Sequence, residues 1–94
     1  MNIDELKKKI NPILKHYGIK KAGIFGSVAA GTAREDSDID ILVNIPNKKI
    51  NLLDFVGIKI ELEDVLGKKV DLVEYSTIKP LLKNTILAQE VPIL

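Results

Sequence analysis

Three aspartates and one glycine-serine pair carry the chemistry this chain can offer. Asp38 and Asp40 stand two apart at the start of the apolar run Ile39 to Ile45. In an extended strand that spacing sends both carboxylates to one face. Two carboxylates so close repel each other unless something positive sits between them. Mg2+, a hard ion that prefers oxygen ligands and substrate phosphates, resolves the repulsion. In isolation, Asp-x-Asp reads more readily as a solvated or capping pair. Asp71 interrupts a second apolar run, Val70-Asp71-Leu72-Val73. A charge inside such a run is costly without a partner or a metal. If the two strands are neighbours, Asp71 is a third carboxylate in the same site. The plainer alternative is an edge-strand aspartate facing water.

Gly26-Ser27 follows a short strand and opens a short helix. Glycine lets the backbone approach a ligand with no Cβ in the way. The first amides of a helix are unpaired and favour an anion. The Ser27 hydroxyl can add a hydrogen bond to a phosphate oxygen. Alone, such a junction is more often a tight turn. Gly26-Ser27, Gly31, Ser37-Asp38-Ile39-Asp40 and Asp71 in one short chain form a far more specific set than any of its parts. The set points to metal-assisted phosphate chemistry.

These residues need elements to hold them. Leu6, Ile10, Ile13, Leu14 and Tyr17 recur at helical steps and predict a helix over Ile3 to Tyr17, ended by Gly18. Pro12 is expected to kink or split it. Strands are expected at Lys21 to Phe25, Ile39 to Ile45 and Val70 to Tyr75, with a short helix over Val28 to Ala33. On the second strand Ile39, Ile41 and Val43 share one face, and Asp40 and Leu42 the other. Pro46-Asn47 marks a loop. Asn51 caps a helix running to about Leu66 and closed by Gly67. Ser76 or Thr77 opens a last helix with Pro80 in its first turn. The fold class is α+β: one domain over residues 1–94, a small mixed sheet of three to four strands flanked by helices.

Composition narrows the classes. The chain has 94 residues, no cysteine and a formal charge of +1. Disulfide frameworks, zinc knuckles and thiol chemistry are excluded. The polar N-terminus lacks a signal core, and no apolar run approaches the roughly 20 residues that cross a bilayer. The expected location is cytoplasmic, with no membrane partner. The lysine clusters at 7–9, 20–21, 48–49 and 68–69 are interspersed with acids and read as solvated surface, so no direct nucleic-acid binding is expected. With four aromatics, Tyr17, Phe25, Phe55 and Tyr75, the core must be aliphatic.

The segments 19–27 (Ile-Lys-Lys-Ala-Gly-Ile-Phe-Gly-Ser), 37–43 (Ser-Asp-Ile-Asp-Ile-Leu-Val) and 67–73 (Gly-Lys-Lys-Val-Asp-Leu-Val) resemble the nucleotidyltransferase superfamily that includes DNA polymerase beta. Within it the chain is most similar to the minimal nucleotidyltransferases, the MNT or MntA-like antitoxins. The resemblance implies a protein adenylyltransferase that moves AMP from ATP to a hydroxyl, a tyrosine of a cognate HEPN toxin. It implies that Gly26 and Ser27 hold the nucleoside triphosphate, and that Asp38 and Asp40 bind two Mg2+ ions. Asp71 would bind one ion and help deprotonate the acceptor. One departure stands out: family members usually carry arginine just before the second glycine, where this chain has Ala30. Arg34, the one arginine, reads as a surface residue.

Other residues carry less. His16 sits near a helix end, Glu35 and Asp36 form a solvated turn, and Glu74 alternates away from Asp71. Tyr17 and Tyr75 read as packing residues. On the third helix Phe55, Ile58, Leu62, Val65 and Leu66 form one apolar stripe. Leu53, Val56 and Ile60 form a second, with the i,i+4 pair Lys59 and Glu63 between. A domain this small leaves the second stripe exposed, as for a protein partner or self-association into a homo-oligomer. The rival to the enzyme reading is a binding module that neutralises a toxin by contact, with catalysis weakened by Ala30. A nucleic-acid nucleotidyltransferase lacks the second domain that would hold a primer.

Overall fold

The aliphatic pattern folds largely as the spacing predicts, with departures at two of the chain's prolines, at the end of α2 and on α3. The computed structural model describes residues 2–45 and 50–94, so the Pro46-Asn47 loop and Lys48-Lys49 lie outside the described residues. Helix α1 spans Ile3–His16. The Asn2 side chain accepts from the Asp4 amide at 2.8 Å and caps its start. Leu6, Ile10 and Leu14 face inward. Gly18, at φ +78°, closes it, and the Ile19 amide reaches back to the Leu14 carbonyl at 3.0 Å. Of the kink or split expected at Pro12, the split is absent: the helix runs unbroken through it. Pro12 is exposed, so the carbonyl it leaves unbonded faces water, and three buried leucine and isoleucine anchors hold the opposite face.

Strand β1, Lys21–Phe25, leads into the one-turn helix α2, Gly26–Ala30, which ends at Gly31 three residues earlier than its sequence suggested. Strand β2 is Ile39–Asn44, α3 is Leu52–Leu66 and β3 is Val70–Glu74. A capping box opens α3: Asp54 donates its amide to Asn51 Oδ1 at 2.9 Å, and the Asn51 amide donates to Asp54 Oδ2 at 3.2 Å. A 3-10 turn, Tyr75–Thr77, replaces the expected helix start at Ser76 or Thr77. Helix α4 begins at Pro80 and runs to Gln89. Lys79, which precedes the proline, is extended at φ −62°, ψ 137°, because the proline ring disfavours helical backbone there. A fourth strand, β4, Val91–Pro92, follows.

The strands form one mixed sheet in the order β3-β2-β1-β4. β2 and β3 run parallel, joined through α3, while β1 is antiparallel to both β2 and β4. The architecture is thus the α+β class expected, with four strands. Ala22, Ile24, Ile39, Ile41, Val43, Val70 and Leu72 form one buried cluster with Leu6, Ile10 and Leu14 of α1 and Ile58 and Leu62 of α3. Leu42 is also fully buried but points to the other face, the one that carries Asp40, where α4 packs on β1 and α2. On α3 the second stripe stays in solvent, with Leu53 81 % exposed. Val65, expected on the inner stripe, is 45 % exposed, so the buried stripe is narrower than its pattern. Among the described residues no helix is long and apolar enough to cross a membrane.

Candidate active site

The site is built from three chain segments that meet at one end of the β1-β2-β3 ladder. Phe25, the last residue of β1, stands opposite Asp40. The chain then turns through Gly26 at φ +69°. A Cβ on Gly26 would overlap the Asp40 carboxylate oxygen Oδ2. Glycine is therefore required twice, by the backbone angle and by the carboxylate lying against it. Ser27 follows, half-buried, and its carbonyl accepts from the Thr32 amide at 2.9 Å.

The loop between α2 and β2 carries Asp38. It is folded by a turn in which the Arg34 amide donates to Ser37 Oγ at 2.8 Å and the Ser37 amide to the Arg34 carbonyl at 3.0 Å. Asp38 lies one residue ahead of β2 and is exposed; Asp40 lies inside the strand and is half-buried. The Ile39 amide donates to the Lys69 carbonyl at 2.9 Å, which registers β2 on β3. In that parallel register Asp40 pairs directly with Asp71. Neighbouring strands lie about 4.8 Å apart, so the two side chains share one face at close range. The condition left open by the sequence, adjacency of the two strands, is met.

Electrostatics reports the same convergence. The Asp40 carboxyl is pushed above its ordinary value, first by burial, then by the charge of Asp71, then by that of Asp38. Asp71 from the neighbouring strand and Asp38 from the loop thus both act on Asp40. No group of three His, Cys, Asp or Glu side chains among the described residues forms a ready-made metal cage. The donors still suit a hard divalent cation: all are carboxylate oxygens, and the ion would relieve the repulsion that raises Asp40.

The remaining candidates separate cleanly. Glu74 pairs with Val43, on the face away from Asp71. It lines a cavity of about 430 Å3 with Ile45, Phe55, Leu72 and Thr77; no aspartate of the trio borders it. A smaller cavity of about 290 Å3 is lined by Asp36, Asp38, Lys68 and Lys69, so Asp38 alone of the trio borders it. Glu35 and Asp36 are exposed in the turn. His16 stacks edge-on to Tyr17, ring centroids 5.4 Å apart, away from the carboxylates. Tyr17 donates to Glu61 Oε2 at 2.5 Å, and that bond raises its pKa. Tyr75 donates to Glu90, and burial foremost holds its proton more tightly than usual. Neither phenol is primed as a nucleophile. Ala30 is exposed, as is Arg34.

Sequence reasoning missed two residues near the trio. Glu63, expected to pair with Lys59, instead accepts the Val70 amide at 3.0 Å and pins the start of β3. Lys68, read as plain surface, donates to the Glu35 carbonyl at 2.7 Å. Only the signal Gly-Lys-Lys before Val70 pointed at this turn.

The family model for polymerase beta nucleotidyltransferases matches residues 8–94. MJ0435 of Methanocaldococcus jannaschii, whose name proposes protein adenylyltransferase activity, is 54 % identical over 94 residues, covering 100 % of both chains. Protein adenylyltransferase MntA of Thermococcus cleftensis is 40 % identical over 77 residues, 82 % of this chain and 77 % of that one. A solved structure of a proposed minimal nucleotidyltransferase superposes with a TM-score of 0.83 at 35 % identity, covering 98 % of this chain and 96 % of the other. A complex of a tri-AMPylated Shewanella oneidensis HEPN toxin with MNT antitoxin shares the fold, TM-score 0.74 at 20 % identity, over 97 % of this chain and 71 % of that one. The carboxylate trio, the glycine that makes room for it and the match along nearly the whole chain agree: this protein belongs to the polymerase beta nucleotidyltransferase family.

Proposed function

We propose that this nucleotidyltransferase moves AMP from ATP to a tyrosine hydroxyl of a HEPN-type toxin, and so acts as its antitoxin. The observation that carries the reading is the parallel pairing of Asp40 with Asp71, with Asp40 lying against the Gly26 backbone. Its support from relatives is the protein adenylyltransferase activity in the names of MJ0435 and MntA and the modified toxin beside a shared fold.

Asp38, Asp40 and Asp71 would hold two Mg2+ ions. Magnesium bound there supplies charge neutralisation on the triphosphate and a lowered pKa for the acceptor hydroxyl. Gly26 admits the triphosphate close to the main chain, and the Ser27 hydroxyl donates to a phosphate oxygen. The acceptor oxygen bonds to the α-phosphorus, the bond from that phosphorus to the bridging oxygen breaks, and pyrophosphate leaves. Asp71, the exposed member of the strand pair, takes the acceptor's proton on a carboxylate oxygen. Asp40, half-buried and already reluctant to carry charge alone, gains most from a cation.

The test uses ATP labelled on the α-phosphate, Mg2+ and the toxin encoded beside this protein. Label on the toxin, lost in Asp38→Asn, Asp40→Asn and Asp71→Asn, is the expected result. A stable complex without label, unchanged by those substitutions, overturns the transfer reading and leaves a module that acts by contact.

A further inference from the structure

We propose that Lys68 is a positioning residue for the reaction: its ammonium, bonded to the Glu35 carbonyl, holds the turn that presents Asp38 to the carboxylate trio. The inference rests on reading Asp38 as a site residue.

Asp38 needs such help. It belongs to no regular element and is exposed, whereas Asp40 and Asp71 are fixed by strand pairing. The segment from Thr32 to Ser37 is held mostly by bonds within itself and to α2: Thr32 to Ser27, and Arg34 to Ser37 in both directions. Thr32 Oγ1 donates to the Ser27 carbonyl of α2 at 3.5 Å; among the described residues, the side-chain bond that ties this segment to the β3 side of the site is that from Lys68 Nζ to the Glu35 carbonyl, 2.7 Å. Its anchor on the far side is firm. The Gly67 amide donates to the Glu63 carbonyl at 2.8 Å. Glu63 Oε2 accepts the Val70 amide. The Lys69 carbonyl receives the Ile39 amide. Lys68 therefore stands on a turn clamped at both ends and reaches across to the one stretch that lacks a clamp. Lys68 is itself half-buried, which limits the freedom of its stem. The two turns line the smaller cavity beside Asp38, so the tie also sets the width of its mouth.

The role differs from a charge that touches substrate. A positioning lysine governs where Asp38 sits and hence the grip on a divalent cation. A phosphate-binding lysine governs affinity for the nucleotide. Arginine can restore the bond to a carbonyl; methionine keeps the stem and removes the donor.

Lys68→Met and Lys68→Arg are compared with the unaltered protein, first without metal or nucleotide. Amide hydrogen exchange by NMR at Ser37 and Ile39 is expected to quicken about fivefold in Lys68→Met, the weight of one net hydrogen bond, and to return in Lys68→Arg. Mn2+ affinity, read by paramagnetic broadening at Asp38 and Asp40, is expected to fall by a similar factor of about five. In the transfer assay the KM for ATP at saturating Mg2+ should not move. Unchanged exchange overturns the proposal. So does faster exchange with unaltered Mn2+ affinity, which leaves a structural role only, and so does a raised KM for ATP alone, which makes Lys68 a phosphate ligand. If the unaltered protein transfers no label, the proposed function fails while the exchange and Mn2+ measurements still decide the role of Lys68.

Discussion

The Asp40 carboxylate occupies the space in which a side chain on Gly26 would begin. The backbone at Gly26, φ +69°, independently disfavours any residue with a Cβ. Gly26→Ala therefore has no good solution: it strains the turn and pushes Asp40 away from Asp71. We expect a loss of about 1–3 kcal/mol in stability by urea denaturation. Transfer of label should fall by about 100-fold, the effect of a displacement near 1 Å at a reacting centre. A variant with normal activity would show that Asp40 does not need that position.

The same carboxylate sets a pH dependence. Its folded-state pKa is raised by burial and by Asp71 and Asp38, so the folded chain holds this proton more tightly than the unfolded chain. Its contribution to stability is full below the ordinary aspartate pKa and is lost as the pH rises through the higher folded one. At neutral pH and without metal, Asp40 is thus a burden on the fold. Asp40→Asn should raise the melting temperature by a few degrees at most, since much of the group is solvent-screened. Added Mg2+ should raise the melting temperature of the unaltered protein and leave that of Asp40→Asn unmoved. Differential scanning calorimetry with and without Mg2+ reads both.

Gly23 and Glu90 form a second close pair. The Glu90 side chain lies where a Cβ on Gly23 would stand, and its carboxylate accepts from Tyr75, whose ring carries Lys21 Nζ at 4.8 Å. Gly23→Ala must displace Glu90 and break that bond, a cost of about 1–3 kcal/mol. In a Glu90→Ala background the three nearest obstructing atoms are gone, and the same change should cost less. A double-mutant cycle in urea gives the coupling; additivity would contradict the contact.

Helix α3 offers a contrast between its faces. Ile58 and Leu62 are fully buried, whereas Leu53 and Ile60 are 81 % and 52 % exposed. Ile58→Ala or Leu62→Ala should cost about 2–5 kcal/mol. Leu53→Lys and Ile60→Lys should change the stability of the isolated chain by under about 0.5 kcal/mol. Equal losses on both faces would mean that α3 is rotated.

What the sequence revealed divides along a physical line. Gly26-Ser27, Asp38-x-Asp40, the aliphatic stripe of α1 and the Asn51 cap of α3 are local patterns, set by backbone angle or by period, and they reappear where they were read. Asp71 was legible as an odd charge in a strand, but its role depended on which strand lay beside it. That is decided by the parallel register of β2 with β3, a contact between distant segments. Tertiary contacts also explain the failures. Pro12 breaks a bond that water replaces, at a position where burial of the other face outweighs it. β4 is two residues long and contains a proline, too little for any periodicity. Glu63 and Lys68 face their own helix or solvent by pattern, and only the folded turn gives them partners.

The whole of α3 lies between Asp40 and Asp71 in the chain, yet the two are neighbours across the ladder. No fragment and no half-collapsed chain owns the trio. The carboxylates assemble only when the crossover through α3 has docked and the edge strand β3 has zipped onto β2. On the proposed function, competence therefore arrives together with the native state, and a nascent or misfolded copy lacks the trio.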